Sequence, residues 1–198
     1  MHQDRIRWNA KYEEMRELKR PSPLVRRYCR LAPGGRALDV AAGLGRNSLF
    51  LAERGFTVLA VDIADKAVAE LQRLGHSRII PVQSDLDHFP FHSEAFDLIV
   101  NCRFLDRRLF PLLQESLVPS GLLLFESALE SSLPHVSQPR NREYLLRSNE
   151  LLQAFLKLHI LYYEEQVRRD SLCPGQASCL ARLAACKGPA NPLADNSR

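Results

Sequence analysis

Apolar residues fall along this chain in short continuous runs separated by helix-length amphipathic stretches. Trp8, Tyr12, Met15 and Leu18 recur every three to four residues among charges, which predicts a helix with one buried face. Pro21-Ser22-Pro23 interrupts it, with Ser22 placed to cap a second helix and Pro23 at its first position. That helix groups Leu24, Val25, Tyr28, Cys29 and Leu31, and Pro33-Gly34-Gly35 stops it. From there the pattern alternates. Strands are predicted at about 36–41, 57–62, 78–83, 96–101 and 122–126, and helices at about 46–54, 64–74 and in the leucine repeat from Leu109 to Leu117. Gly55 and Gly75 sit where two of these helices should end. Asp106 stands at the start of the helix that carries Leu109, and Pro119-Ser120-Gly121 forms a turn into the fifth strand. Pro81 marks the third strand as an edge strand.

Strands that lack a clean two-residue alternation and are separated by helices belong to a parallel sheet buried on both faces. Right-handed crossovers then give an α/β three-layer, doubly wound sandwich. Residues 127–146 break the rhythm: they are polar, irregular and rich in Ser, Pro, Arg and Asn, a length that marks a functional or mobile segment. A helix at about 149–157, capped by Ser148, follows, and then two strands at about 158–166 and 177–185 around Pro174-Gly175. The spacing of that pair suits an antiparallel hairpin.

Composition changes this picture little. The 198 residues are 45% hydrophobic, enough for one domain with a substantial core, and the formal charge is a mild +4. The basic residues look scattered, as solvated helix faces do, so no nucleic-acid partner is expected. No apolar run reaches the ~18–20 residues of a membrane span, and the first residues lack the apolar core of a secretory signal, so a cytoplasmic protein with no membrane partner is expected. Five cysteines, an odd number with no CxxC, read as reduced thiols rather than zinc ligands, although Cys173 and Cys179 can meet across the hairpin. No metal site is expected.

The chemistry gathers in Ala37-Leu38-Asp39-Val40-Ala41-Ala42-Gly43-Leu44-Gly45-Arg46-Asn47, a buried strand that turns through small residues into a helix. Small residues keep Cβ atoms out of the turn, so a ligand can lie against its backbone. Asp39, Asp62 and Asp85 each stand at or just beyond the end of a successive strand, where open α/β sheets bind ligands. Asp62 lies 19 residues beyond Gly43, close enough to accept both hydroxyls of a ribose. Asp85 can take an exocyclic adenine amine, and Ile63 can cover the base. A turn or helix cap explains any one of these aspartates; three together favour a nucleoside site. An acidic strand end suits an ammonium-bearing ligand and repels a pyrophosphate, and Ser48 stands where a dinucleotide loop wants its third glycine. S-adenosylmethionine carries an ammonium, a sulfonium and a ribose diol, and no phosphate.

With these residues on the page, the chain resembles a class I S-adenosylmethionine-dependent methyltransferase. Asp39-x-Ala41-x-Gly43-x-Gly45 matches the acidic-x-Gly-x-Gly-x-Gly motif of that class with alanine in place of the first glycine, which requires only a negative φ at position 41. Trp8 to Tyr12, Leu38 to Gly55, Asn101 to Arg107, and Pro139-Arg140-Asn141 with Tyr144-Leu145-Leu146 are similar to the small tellurite-resistance-type methyltransferases. The resemblance implies a Rossmann-like fold, a mostly parallel seven-stranded sheet of order 3-2-1-4-5-7-6 closed by the antiparallel hairpin. It also implies that Asp39, Ala41, Gly43 and Gly45 cradle the methionine part of the cofactor, Asp62 the ribose, and Ile63, Asp85 and Leu86 the adenine. Asn101 would end the fourth strand beside the transferable methyl. Arg46 pairs with the cofactor carboxylate or is a solvated helix-start arginine. Trp8 and Tyr12 form part of a lid or are aromatic anchors of a packed helix.

Residues 1–32 are thus expected to be a helical lid segment, 33–186 the cofactor-binding domain and 187–198 a disordered tail. The expected reaction moves a methyl group from S-adenosylmethionine to a small-molecule acceptor, a chalcogen oxyanion such as tellurite being what the subfamily implies. Tyr12, Arg103, His135 and Arg140, with Arg142 and Tyr144, are the candidates on the acceptor side. No general base stands out. A nicotinamide-dependent oxidoreductase and a non-catalytic methyltransferase-like binding module are the rival readings.

Overall fold

The structure is a computed structural model and describes residues 2–15, 18–169 and 176–188. Its chain runs α1 (His2–Glu13), α2 (Pro23–Tyr28), a 3-10 turn (Cys29–Leu31), β1 (Arg36–Val40), α3 (Arg46–Ala52), β2 (Thr57–Asp62), α4 (Asp65–Arg73), β3 (Ile79–Gln83), β4 (Phe96–Cys102), α5 (Leu109–Ser116) and β5 (Leu117–Ala128). A second 3-10 turn (Arg142–Tyr144), α6 (Glu150–Ala154), β6 (His159–Arg169) and β7 (Ala177–Cys186) complete it. The sheet has seven strands in the order β3-β2-β1-β4-β5-β7-β6, as the resemblance implies. The first five strands are parallel, and β7 runs antiparallel between β5 and β6.

Both faces of the sheet are buried, which is why the strands read as continuous apolar runs. On one face Leu38, Ile99, Leu123, Phe125 and Leu183 pack with Leu113 of α5 and Phe155 beyond α6. On the other, Ala37, Val58, Leu98, Val100, Leu122 and Leu124 pack with Leu24 and Val25 of α2, Leu51 of α3 and Leu71 of α4. Phe110, Phe125 and Phe155 form a mutual aromatic cluster with centroids 5.2–5.7 Å apart. Ser22 caps α2 through a 3.3 Å bond from the Leu24 N–H to its Oγ, with Pro23 at the first helical position as predicted.

The ends of several elements differ from the sequence reading. α1 stops at Glu13, which leaves Leu18 37% exposed rather than on a buried face. The fifth strand starts at Leu117, since a register shift against β4 and Ser120 at φ 64° absorb the turn within the strand. Asp106 accepts from the Arg108 N–H at 3.0 Å, in the turn before α5 rather than in its first turn. Asn149, at φ 61°, is the N-cap residue of α6, while Ser148 Oγ donates to Glu165 of β6 at 2.7 Å. Lys187, assigned to the tail, is tied down: its Nζ donates to the Leu117 carbonyl at 2.7 Å. Residues 189–198 of that tail, and Cys173 with Pro174-Gly175, lie outside the described residues, and the four described cysteines are buried and free.

Candidate cofactor site

The site forms where β1 and β2 end side by side. Val40 pairs with Val61, and the Ala42 N–H extends the ladder by donating to the Val61 carbonyl at 2.9 Å. The chain then turns through residues 41–45 into α3. Ala41 has φ 51°, not the negative value expected for a substituted motif glycine. The reversal between a strand and a helix that start almost at one point needs a left-handed residue there, and alanine is the smallest side chain that can still be strained into it. Gly45, at φ 87°, is needed twice over: a Cβ there would stand 2.5 Å from Leu71 Cδ2, so its absence lets α4 pack against the turn.

Asp39 lies beneath this turn, 1% exposed, and its Oδ2 accepts from Ser48 Oγ at 2.6 Å. Ser48, which counts against a dinucleotide loop in the sequence, is therefore the partner of the motif carboxylate. Burial pushes the Asp39 carboxyl up to about 7, against the Ser48 bond and the field of Arg46, which lower it. Asp62 ends β2. Its two oxygens accept from the Gly43 N–H at 2.8 Å and the Ala64 N–H at 2.9 Å, and its carboxyl is raised chiefly by burial. The 19-residue spacing thus becomes a direct bond between the second strand end and the first loop.

Tyr12 completes the pocket. Its hydroxyl bonds the Asp62 carboxylate and would lie 3.1 Å from a Cβ placed on Gly43, so the open face of the turn is covered by α1. The helix is held there by Asp65, at the start of α4. That carboxylate accepts from Arg5 Nη2 at 2.7 Å, Asn9 Nδ2 at 2.8 Å and Gln83 Nε2 at 2.7 Å, which holds it well below the usual carboxylate range. Asn9 Oδ1 in turn accepts the Lys66 N–H at 3.0 Å. Trp8 stacks on Tyr12 at 5.5 Å, and the Arg7 guanidinium lies 5.7 Å from the Tyr144 ring, bringing α1 against the irregular segment. Asp65 is absent from the sequence reading, where it looks like one more helix-start acid.

The other candidates separate. Ile63 and Leu86 are half-buried near the ends of β2 and β3, and Asp85 Oδ1 accepts the Asp87 N–H at 3.1 Å in a local turn. Asn101 is 1% exposed, and its Nδ2 donates to the Phe104 carbonyl at 2.7 Å, shaping the loop after β4. Arg46 Nη1 donates to the Arg20 carbonyl at 3.1 Å. Arg103, at φ 66°, is bound to Glu126 of β5 through both its backbone N–H (2.7 Å) and its Nε (3.3 Å). Glu126 is 2% exposed and also accepts from Arg182 Nε of β7 at 2.7 Å and Ser22 Oγ at 3.3 Å. Sequence reasoning missed this ion cluster; the signal was Arg182 inside the otherwise apolar run of β7. His135 and Arg140 are exposed on the irregular segment. The same segment walls an open cleft of about 890 Å³ with Arg107, Arg142, Arg147 and Glu150, in which Arg107 binds Glu150 and the carbonyls of Glu143 and Leu145. Burial pushes the Cys102 thiol up to about 12, so it is no nucleophile. Among the described residues no cluster of side chains could hold a metal ion.

Residues 37–121 match the family model described as a methyltransferase domain. The chain is 31% identical over 103 residues to the putative methyltransferase YqeM of Bacillus subtilis, covering 46% of this chain and 42% of that protein. It is 30% identical over 122 residues to the uncharacterized methyltransferase YodH of the same organism, covering 57% and 52%. The chain thus spans about half the length of the curated relatives it matches. Among solved structures, TehB from Haemophilus influenzae aligns with a TM-score of 0.72 at 21% identity, over 92% of this chain and 66% of that one. An S-adenosylmethionine-dependent methyltransferase from Methanosarcina mazei aligns with a TM-score of 0.67 at 18% identity, over 85% and 98%. Similarity at that level of identity speaks for the fold.

Proposed function

We propose that this chain is an S-adenosylmethionine-dependent methyltransferase that transfers the methyl group of that cofactor to a small-molecule acceptor, a reading supported by the match of residues 37–121 to the methyltransferase-domain model. The observation that supports this most is the junction of Asp62 with the Gly43 N–H above a buried Asp39, at the mouth of a turn lined by glycine and alanine. The chain's own residues fit the cofactor's chemistry. Asp62 would hold the ribose hydroxyls, exchanging its bond with the Tyr12 hydroxyl for them. Gly43 and Gly45 would let the methionine part lie on the backbone, with Ala41 beside them. Asp39 would supply negative potential from below toward the ammonium group, and Ile63, Asp85 and Leu86 would border the adenine. A pyrophosphate would meet two buried carboxylates here, which argues against the nicotinamide reading.

When bound, S-adenosylmethionine supplies a methyl group on a sulfonium, a leaving group that needs no acid. The protein's task is then positional: aligning an acceptor and excluding water is worth up to ~7–11 kcal/mol. Asn101, by fixing the loop after β4, and α1, by covering the turn, would do this on the cofactor side. Arg103, His135 and Arg140 would border the side left for the acceptor, and their charge would suit a polar or anionic molecule such as a chalcogen oxyanion. On this reading residues 1–32 are the lid segment and 33–186 the catalytic domain, working in the cytoplasm. No helix of the described residues is long and apolar enough to cross a membrane.

Release of S-adenosylhomocysteine, measured against a panel of tellurite, selenite, thiols, amines and carboxylates, tests the reading. Turnover with at least one small acceptor is expected. Tight cofactor binding with no turnover on any of them would favour a binding module instead.

A further inference from the structure

We propose that the face formed by α2, the following 3-10 turn and the end of α3 is a docking surface for the phosphodiester backbone of a nucleic acid. The basic residues that look scattered in the sequence are gathered here in space. Between residues 18 and 38 there are six lysines and arginines and no acidic residue, so the rest of the chain is slightly acidic and the whole positive balance resides in this segment. Arg20, Arg26, Arg27 and Arg30 are exposed, and Arg54 at the end of α3 joins them close enough for its field, with that of Arg30, to reach the Cys29 thiol between them.

These side chains differ from the chain's paired arginines. Arg5, Arg73, Arg107 and Arg182 each bind a carboxylate within 2.5–2.7 Å. Arg20, Arg26, Arg27, Arg30 and Arg54 form no ion pair among the described residues. Arg54 donates to the Phe50 carbonyl, and Arg27 lies over the rings of Tyr28 and Tyr162, 5.1 and 5.7 Å from their centroids. Glu164, the carboxylate next to that aromatic pair, is taken up by Arg182 and by the Tyr162 hydroxyl. Glu53, beside Arg54, is the exposed acid that borders the face.

A surface of unpaired arginines has a strong field and guanidinium forks that match phosphate oxygens. Tyr28 and Tyr162, half-buried with ring centroids 5.1 Å apart and planes tilted by 31°, add a ring face of the kind on which bases and guanidinium groups stack. The helix and 3-10 turn run about 15 Å, the length of roughly four nucleotides at ~3.4 Å each. This runs counter to the expectation that the chain has no nucleic-acid partner, and it does not depend on which cofactor or acceptor the site takes.

Fluorescence anisotropy of a labelled 20-nucleotide single-stranded RNA, titrated with the full chain between 50 and 300 mM salt, tests it, with single-stranded DNA, duplex DNA and anionic phosphatidylglycerol vesicles as parallel arms. Saturable binding is expected, with a log–log salt slope of about −3 for four phosphate contacts. Arg26→Ala with Arg30→Ala should weaken it at least tenfold with an unchanged melting temperature, while Arg73→Ala, from the paired set, should leave it unchanged. No saturable binding to any nucleic acid at 50 mM salt, equal losses in the two variants, or binding to the vesicles alone would overturn the proposal.

Discussion

At the ends of β1 and β2, two buried aspartates are held by a serine hydroxyl, backbone N–H groups and a tyrosine hydroxyl, with no ion pair among the described residues. At the end of β5, two strands from β1 in the sheet, Glu126 is just as buried but is gripped by Arg182 and Arg103, with Glu164 balancing Arg182. The first arrangement is costly by itself, because desolvation of a carboxylate is only partly offset by neutral donors. The second neutralises its charges internally. On the proposed reading the difference separates recognition from architecture: the cofactor's ammonium group would complete Asp39 and its ribose hydroxyls Asp62, whereas Glu126 is already paired and joins β5, β7, the loop after β4 and the start of α2.

Breaking the paired end should have the largest effect. Arg182→Met leaves Glu126 buried opposite only Arg103, and urea denaturation should show a loss of about 3–5 kcal/mol. Adding Glu126→Gln should recover part of it; no recovery would mean that Arg182 acts through packing alone. Next comes the recognition end. Asp62→Ala removes charged hydrogen bonds and should weaken S-adenosylhomocysteine binding tenfold or more by calorimetry. Asp62→Asn, which keeps one acceptor for the Gly43 N–H, should fall between.

Asp39 sharpens the comparison through pH. Its carboxyl titrates near 7 in the folded chain against an ordinary value of 3.8, so folding takes up a proton between these values. Stability from this residue is full below about pH 4, falls as pH rises to about 7, and is constant above, by an amount on the order of 4 kcal/mol. Asp39→Asn should lack that slope, so the stability difference between parent and variant should carry it in denaturation series from pH 4 to 8. Cofactor affinity of the parent should rise between pH 6 and 8, as the carboxylate becomes charged for the ammonium group, and stay flat in the variant. The smallest effect expected is at Ala41. Replacing it by glycine relieves a left-handed alanine but frees the unfolded chain, for a net gain of up to about 1 kcal/mol in urea. A loss would mean that the methyl group packs usefully.

How much of this was legible beforehand follows the same division. The alternating pattern carried the doubly buried parallel sheet, because a strand buried on both faces must be continuously apolar, and it placed the motif of small residues at a strand end; the strand order came from the resemblance. Asp39, Gly43, Gly45 and Asp62 met where their spacing placed them. Ala41 was misjudged because sequence shows which residue stands at a position and not which φ the chain imposes on it. Asp65 and the Glu126–Arg182 pair were invisible for a related reason: their partners lie 60 and 56 residues away, and only the folded sheet and the docked α1 bring them together. Ser148 lost its capping role because Glu165, on a different strand, offered its hydroxyl a stronger acceptor. Irregular segments carry no periodicity, so His135 and Arg140 could be assigned a neighbourhood only by resemblance.

The central claim, that the uncompensated carboxylates await a cationic nucleoside rather than a pyrophosphate, is tested most directly by isothermal titration of the purified chain at pH 8 with S-adenosylmethionine and, separately, with NAD. Stoichiometric binding of S-adenosylmethionine, lost in Asp62→Ala, with no heat from NAD, is the predicted result. Binding of NAD without S-adenosylmethionine, or S-adenosylmethionine affinity indifferent to Asp62, would contradict it.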